Sequence, residues 1–190
     1  MKHLFLTLII ALIMSTSCTS PAGQTTPLAT NNWKTVLSEE LPLLGHRNWI
    51  LVVDKAFPAQ NAPGIQVVNT GEELLSVLKH TLEQISQSTH VKPIIYTDKE
   101  LGFITPELEA EIEPFKNSLQ EVLKGADVQT ILHDSVFLKI DEASKLFKVL
   151  VLKTEGTIAY SSVFLNLDCK YWTGEKENAL RQAMSGNSQK

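Results

Sequence analysis

The sequence predicts an α/β fold, a single domain with a largely parallel sheet flanked by helices. Short strand-like apolar runs alternate along the chain with stretches of helical periodicity. The connections between them carry Gly and Pro. The chain has 190 residues and is 43% apolar, enough for one ordinary domain. The last two strands are expected to pair antiparallel.

The globular part begins near Trp33. Val36, Leu37, Glu40 and Leu41 fit a short helix that Pro42 to Gly45 ends. Asn48 to Asp54 reads as the first strand, and Phe57 to Gly64, with two prolines, as a loop long enough to be functional. Ile65 to Asn69 is a second strand. Thr70-Gly71-Glu72-Glu73 has the form of a capping box, Thr70 capping and Glu73 reaching back. Leu74, Leu75, Leu78, Leu82 and Ile85 mark the apolar face of the helix that follows. His80 and His90 have no ligand partner at metal spacing and read as surface or packing histidines. Pro93 to Thr97 is a strand. Thr105-Pro106 is expected to open the next helix, with Leu108, Ile112, Phe115, Leu119 and Val122 on one face. Pro114 then kinks that helix or marks a restart. Four glutamates near its start, Glu107, Glu109, Glu111 and Glu113, spread around the axis as a solvated face rather than a metal cluster. Gly125 ends it. Val128 to Leu132 is a strand ending at His133-Asp134, and Val136 to Ala143 a short helix. Phe147 to Leu152 and Ile158 to Leu165 are two further strands, and a polar helix closes the chain.

A net charge of −4 leaves no basic face to release phosphate counterions, which argues against nucleic acid as a partner. The sequence has no metal-type Cys/His spacing, so no metal site is expected. Residues 1–18 read as a leader rather than as fold. Lys2 and His3 precede an eleven-residue apolar stretch, too short to span a bilayer, and small residues follow up to Cys18. The pattern resembles a bacterial lipoprotein signal, with Ser15 where a leucine is usual. That resemblance implies lipidation of Cys18 and anchoring at the bacterial cell envelope, on the periplasmic or outer-membrane side. The other readings are plain cleavage, giving a secreted or periplasmic soluble protein, and an uncleaved anchor. Residues 19–32, with Pro21, Gly23 and Pro27, read as a flexible tether. Cys169 is then either a lone buried thiol or the partner of Cys18 in a disulfide.

His46 and Asp54 bracket the first strand and are the candidate catalytic pair. Histidine suits proton transfer near neutral pH, and the aspartate can orient its imidazole or bind hydroxyls. Eight residues of extended chain span about 25 Å, so the two share a site only if the chain curls at Gly45 or a second subunit intervenes. Against this stand ordinary roles: His46 capping a turn, and Asp54 bonding local backbone groups.

Gly45-His46, the run Ile50 to Val53, Asp54 and Pro58 together resemble the ribose pyranase/fucose mutarotase (RbsD/FucU) family, whose pattern is Gly-His-x-Asp, a strand, then Asp-Ala-x-x-Pro. Phe57-Pro58-Ala59-Gln60, Ile104 to Leu108 and Glu142 to Phe147 are similar to its fucose branch, with Gln60 where that branch has histidine. The resemblance runs from about Ser38 to Asp168, so residues 33–168 form the domain and residues 169–190 an extension. It implies an isomerase that interconverts sugar ring forms without metal or redox cofactor. It also implies a ring-shaped homo-oligomer with sites completed by neighbouring chains. It assigns substrate contacts to Tyr160, to Ser162 (asparagine in the family), to Gln60, and to His133 and Asp134 at a strand end. Two other readings stay open: a non-catalytic sugar-binding lipoprotein on the same fold, and an assembly protein that uses Tyr171 and Trp172 to contact a partner.

Overall fold

A residue in a sheet covered on both faces is buried whichever way it points, so a central strand reads as an unbroken apolar run. The computed structural model describes residues 32–187. The expected leader, Cys18 and the tether as far as residue 31 lie outside the described residues. The elements are α1 (Trp33–Glu40), β1 (Trp49–Val53), β2 (Ile65–Asn69), α2 (Leu74–Gln87), β3 (Val91–Asp98), α3 (Ile112–Val122), β4 (Val128–Ile131), α4 (His133–Ser144), β5 (Val149–Lys153), β6 (Val163–Cys169) and α5 (Gly174–Asn187). No helix among the described residues is long and apolar enough to cross a membrane.

β1 is buried at every position, and β5 at its first four. Both lie inside one six-stranded sheet of order β2-β5-β1-β6-β3-β4. β5 runs parallel to β1 and β2, and β4 parallel to β3, while β6 is antiparallel to both β1 and β3. Five strands therefore share one direction and β6 opposes them, so the sheet is mixed. The expectation that the last two strands pair is corrected: β1 lies between β5 and β6. Residues 154–162 explain why no hairpin forms. The Thr154 N–H donates to the Val53 carbonyl at 2.9 Å, and the Lys55 N–H to Gly156 at 2.8 Å, which carries the chain across the end of β1. The strand expected from Ile158 accordingly begins only at Val163.

Alternation splits the sheet between two cores. Ile50, Val52, Leu150, Leu152, Val163 and Leu165 pack under α1, α2 and α3. Trp49, Leu51, Val53, Val149, Val151 and Phe164 pack under Val136, Ile140 and Ala143 of α4 and under Phe57. Burial of such side chains stabilises the fold by roughly 1.5–3 kcal/mol each. The histidines read as packing residues do pack. His80 meets the Trp33 ring edge-on at 5.2 Å, and His90 Nε2 lies 3.0 Å from the Leu44 carbonyl.

Two helix starts differ from expectation. Gly71 adopts φ +63°, a left-handed turn that delays α2 to Leu74. Thr70 Oγ1 instead donates to the Lys153 carbonyl at 3.0 Å, and the capping box does not form. Thr105-Pro106 opens turns rather than the helix, since α3 starts at Ile112. A continuous helix would drive the Pro114 ring into the carbonyl four residues back, whereas in the first turn its missing N–H costs nothing. Pro114 thus marks a restart. One glycine is fixed by close approach: a Cβ on Gly64 would meet the Ser144 carbonyl oxygen at 2.3 Å, where the entry to β2 passes the end of α4.

Candidate active site

Strand direction decides which side chains meet. The C-terminal ends of β1, β3 and β4 share a sheet edge with the N-terminal end of β6. Asp54, Asp98, His133 and the segment from Tyr160 to Ser162 all belong to that edge.

Asp98 is the last residue of β3, and its side chain is fully buried. His133 opens α4 immediately after β4, and its Nδ1 lies 2.9 Å from Asp98 Oδ2. With Nδ1 donating to the carboxylate, the assigned tautomer leaves Nε2 with a lone pair. The Glu100 carboxylate accepts the His133 backbone N–H, at 3.1 and 3.2 Å, and so caps α4 and fixes where the imidazole starts. Phe137, one turn on, meets the imidazole edge-on at 4.9 Å, and Tyr160 does so at 5.2 Å. Phe57 stacks on Phe137 at 5.3 Å and brings the loop after β1 to the same place. The imidazole is thus held by a carboxylate on one nitrogen and by rings on its sides, while 30% of the side chain stays exposed.

Burial pushes the Asp98 carboxyl up to about 6 from an ordinary 3.8, although the hydrogen bond and charge of His133 pull the other way. The nearby Glu100 and Asp54 carboxylates add to the upward shift. Asp98 Oδ1 is buried without a hydrogen-bond partner among the described residues. An acid this costly to ionise is a functional-site candidate on physical grounds.

Asp54 is pinned in place. Its Oδ1 accepts the Ala56 N–H at 2.9 Å, its Oδ2 accepts the Ser162 hydroxyl at 2.8 Å, and its own N–H donates to Ser162 Oγ at 3.1 Å. Ser162 is fully buried, so its hydroxyl acts on Asp54. The turn role weighed for Asp54 is present alongside its place in the cluster. Tyr160 adopts φ +57°, strained for an aromatic residue, and the residue is 38% exposed. Gln60 lies in the loop after β1, with its Oε1 buried and unpartnered among the described residues. Asp134 is exposed in the first turn of α4.

His46 stands elsewhere. It is exposed at the opposite end of β1, where its Nε2 accepts from Arg47 Nε at 3.2 Å. The chain does not curl back at Gly45, so within one chain His46 and Asp54 are separated by the length of the strand. The sequence reading missed Asp98 and Glu100 and took His133 for a contact residue alone. The signal was present: Asp98 closes an apolar strand just as Asp54 does, with Lys99-Glu100 following in the loop.

No protein-family model matches the sequence, and no curated protein matches it. Solved structures are similar in fold. RbsD of Bacillus subtilis, complexed with D-ribose, aligns with a TM-score of 0.51 and 14% identity, covering 70% of this chain and 92% of its own. The fucose mutarotase of Streptococcus pneumoniae, in complex with L-fucose, aligns with a TM-score of 0.51 and 16% identity over 73% of this chain and 95% of its own.

Proposed function

We propose that this chain interconverts the ring forms or anomers of a fucose- or ribose-like monosaccharide by acid/base ring opening. The observation that carries the reading is the His133–Asp98 pair beside Tyr160 at the C-terminal sheet edge. Its fold likeness to sugar-bound proteins narrows the substrate class.

In the proposed reaction His133 Nε2 takes the proton of the anomeric hydroxyl while Asp98 holds Nδ1–H and stabilises the imidazolium. The bond from the anomeric carbon to the ring oxygen breaks with its electron pair on the oxygen, which takes a proton from an acid on the other side. His46 is that acid in its protonated form, with Nε2 released from Arg47, and is supplied by a second copy of the chain, since its own Asp54 is a strand's length away. The open aldehyde turns about one carbon–carbon bond, and a hydroxyl adds back with the proton transfers reversed. Asp54, Tyr160 and Gln60 hold sugar hydroxyls, and Ser162 orients Asp54. Each positioned acid or base contributes about 10²–10⁴-fold, enough for a reaction that already proceeds in water. The same proposal carries a homo-oligomer and a lipid anchor at Cys18 in the cell envelope.

A second reading is a sugar-binding protein without turnover. It is favoured by Asp54, whose two oxygens already have partners in Ala56 and Ser162. Saturation-transfer NMR on anomeric protons of L-fucose and D-ribose decides between them. Exchange faster than in buffer, abolished in His133→Ala, is expected. Saturable binding without acceleration would leave the binding reading.

A further inference from the structure

His46 lines a cleft of about 550 Å³ whose other wall is the chain's C-terminal segment, with Asp168, Tyr171, Trp172 and Glu177. That wall is held by specific bonds rather than by burial. The Lys170 N–H donates to the His90 carbonyl at 3.0 Å, and Lys170 Nζ to the carbonyls of Ser86 and Ser88 at 2.8 and 2.7 Å. Lys176 Nζ donates to the Tyr171 carbonyl at 2.9 Å. Trp172 Nε1 donates to Glu177 Oε2 at 2.8 Å, which fixes the plane of the indole. Glu177 also accepts from Arg181 Nε at 2.7 Å. The hydrogen bond from Trp172, then that from Arg181, hold the Glu177 carboxyl below its usual range.

Trp172 is 42% exposed and Tyr171 66%, in a protein whose other two tryptophans are 3% and 6% exposed. An indole oriented by its own hydrogen bond, beside an open cleft, presents a flat apolar surface at little entropic cost. A monosaccharide has the matching chemistry: one face of C–H bonds and a rim of hydroxyls. Besides His46, the ionisable acids of the lining are Asp168, which pairs with Lys92 at 3.6 Å, and Glu177. Carboxylates accept hydrogen bonds from sugar hydroxyls, and no Lys or Arg among the described residues lines the cleft to hold a phosphate.

We infer that this cleft is a subsite for a neutral, unphosphorylated monosaccharide: Trp172 stacks on the sugar's apolar face, and Tyr171 and Asp168 take hydroxyls next to His46. This rests on the ring-opening reading for the identity of the sugar and adds to it a specificity element in the C-terminal segment. The extension is thereby part of the binding machinery.

Trp172 is the exposed tryptophan, so the test reads it directly. The full chain is titrated with L-fucose, D-ribose and D-ribose 5-phosphate while acrylamide quenching of its fluorescence is followed, alongside ring-form exchange by NMR. Trp172→Phe and Trp172→Ala are compared, with circular dichroism to check folding. L-Fucose or D-ribose is expected to cut quenching at least twofold, and the 5-phosphate to act at least tenfold more weakly. In Trp172→Phe the response disappears, and KM for exchange rises several-fold with kcat within twofold of wild type. Exchange with an unchanged KM in Trp172→Phe, and no sugar effect on quenching, overturns the subsite and leaves the ring-opening reading standing. Protection of Trp172 without any exchange supports the subsite and overturns turnover. Neither effect overturns both.

Discussion

The two ends of the sheet carry histidines in opposite circumstances. At the C-terminal end His133 is clamped by a buried carboxylate, capped by Glu100 and flanked by two rings. At the N-terminal end His46 is exposed, with Arg47 on one nitrogen and a cleft beside it. Preorganisation of the first kind is expensive: the fold holds Asp98 at about 6 because burial resists its charge. The difference teaches that one edge of this chain is built around an immobilised histidine, whereas the other is accessible to something brought to it.

The sharpest way to break that comparison is to remove each histidine and mix the products. His133→Ala and His46→Ala are each expected to lose about 10²-fold or more in ring-form exchange. Unfolding the two variants together and refolding them is expected to restore part of the activity, because in the proposed assembly mixed oligomers pair an intact His46 with an intact His133 edge. Failure of the mixture to recover, with both variants folded, would separate His46 from the partner's site.

A second test bears on Asp98. Its folded value lies above its unfolded one, so between about 4 and 6 the native state keeps a proton that the unfolded chain releases, and stability falls as pH rises through that window. Above it the full cost, about 3 kcal/mol for a two-unit shift, is present. Asp98→Asn is therefore expected to stabilise the fold by about 1–3 kcal/mol at pH 8 and hardly at all at pH 3.5, measured by urea unfolding. The same variant should lose at least tenfold in exchange rate. A loss of stability at pH 8 would contradict the buried-charge account.

The pH profile follows from the same carboxyl. Asp98 holds the imidazolium as a carboxylate, so its protonation below about pH 6 contributes to a fall in kcat/KM. In Asp98→Asn that contribution disappears. The smallest expected effect concerns Tyr160, whose φ of +57° suits asparagine better than an aromatic residue. Tyr160→Asn should raise stability by about 0.5–1 kcal/mol, read as a higher unfolding midpoint, while weakening sugar binding.

Most of the layered architecture was legible from local pattern. The unbroken apolar run Trp49 to Val53 announced a strand, and the spacing from Leu74 to Ile85 announced a one-faced helix. What misled were places where a distant carbonyl or a single backbone angle outbid a local motif. Thr70 donates its hydroxyl to the distant Lys153 carbonyl without capping α2, and Pro114 cut short a helix that the apolar spacing extended back to Thr105. For the site, Asp54 stood out because it ends the strongest apolar run. Asp98 was as visible, but its importance depends on a partner 35 residues away that β-pairing brings within 2.9 Å.

By itself the sequence determined the alternation of strands and helices, the strand Trp49 to Val53 and the apolar face of the helix Leu74 to Gln87. Those depend on local periodicity and on whether a residue has water or a covering layer on each side. Only the tertiary structure decided that β6 inserts antiparallel between β1 and β3. That insertion brings Ser162 to Asp54 and Tyr160 to His133, and leaves His46 at the far edge. Strand order is set by how long-range packing closes two cores at once, a sum over contacts distant in sequence that no short window of residues contains.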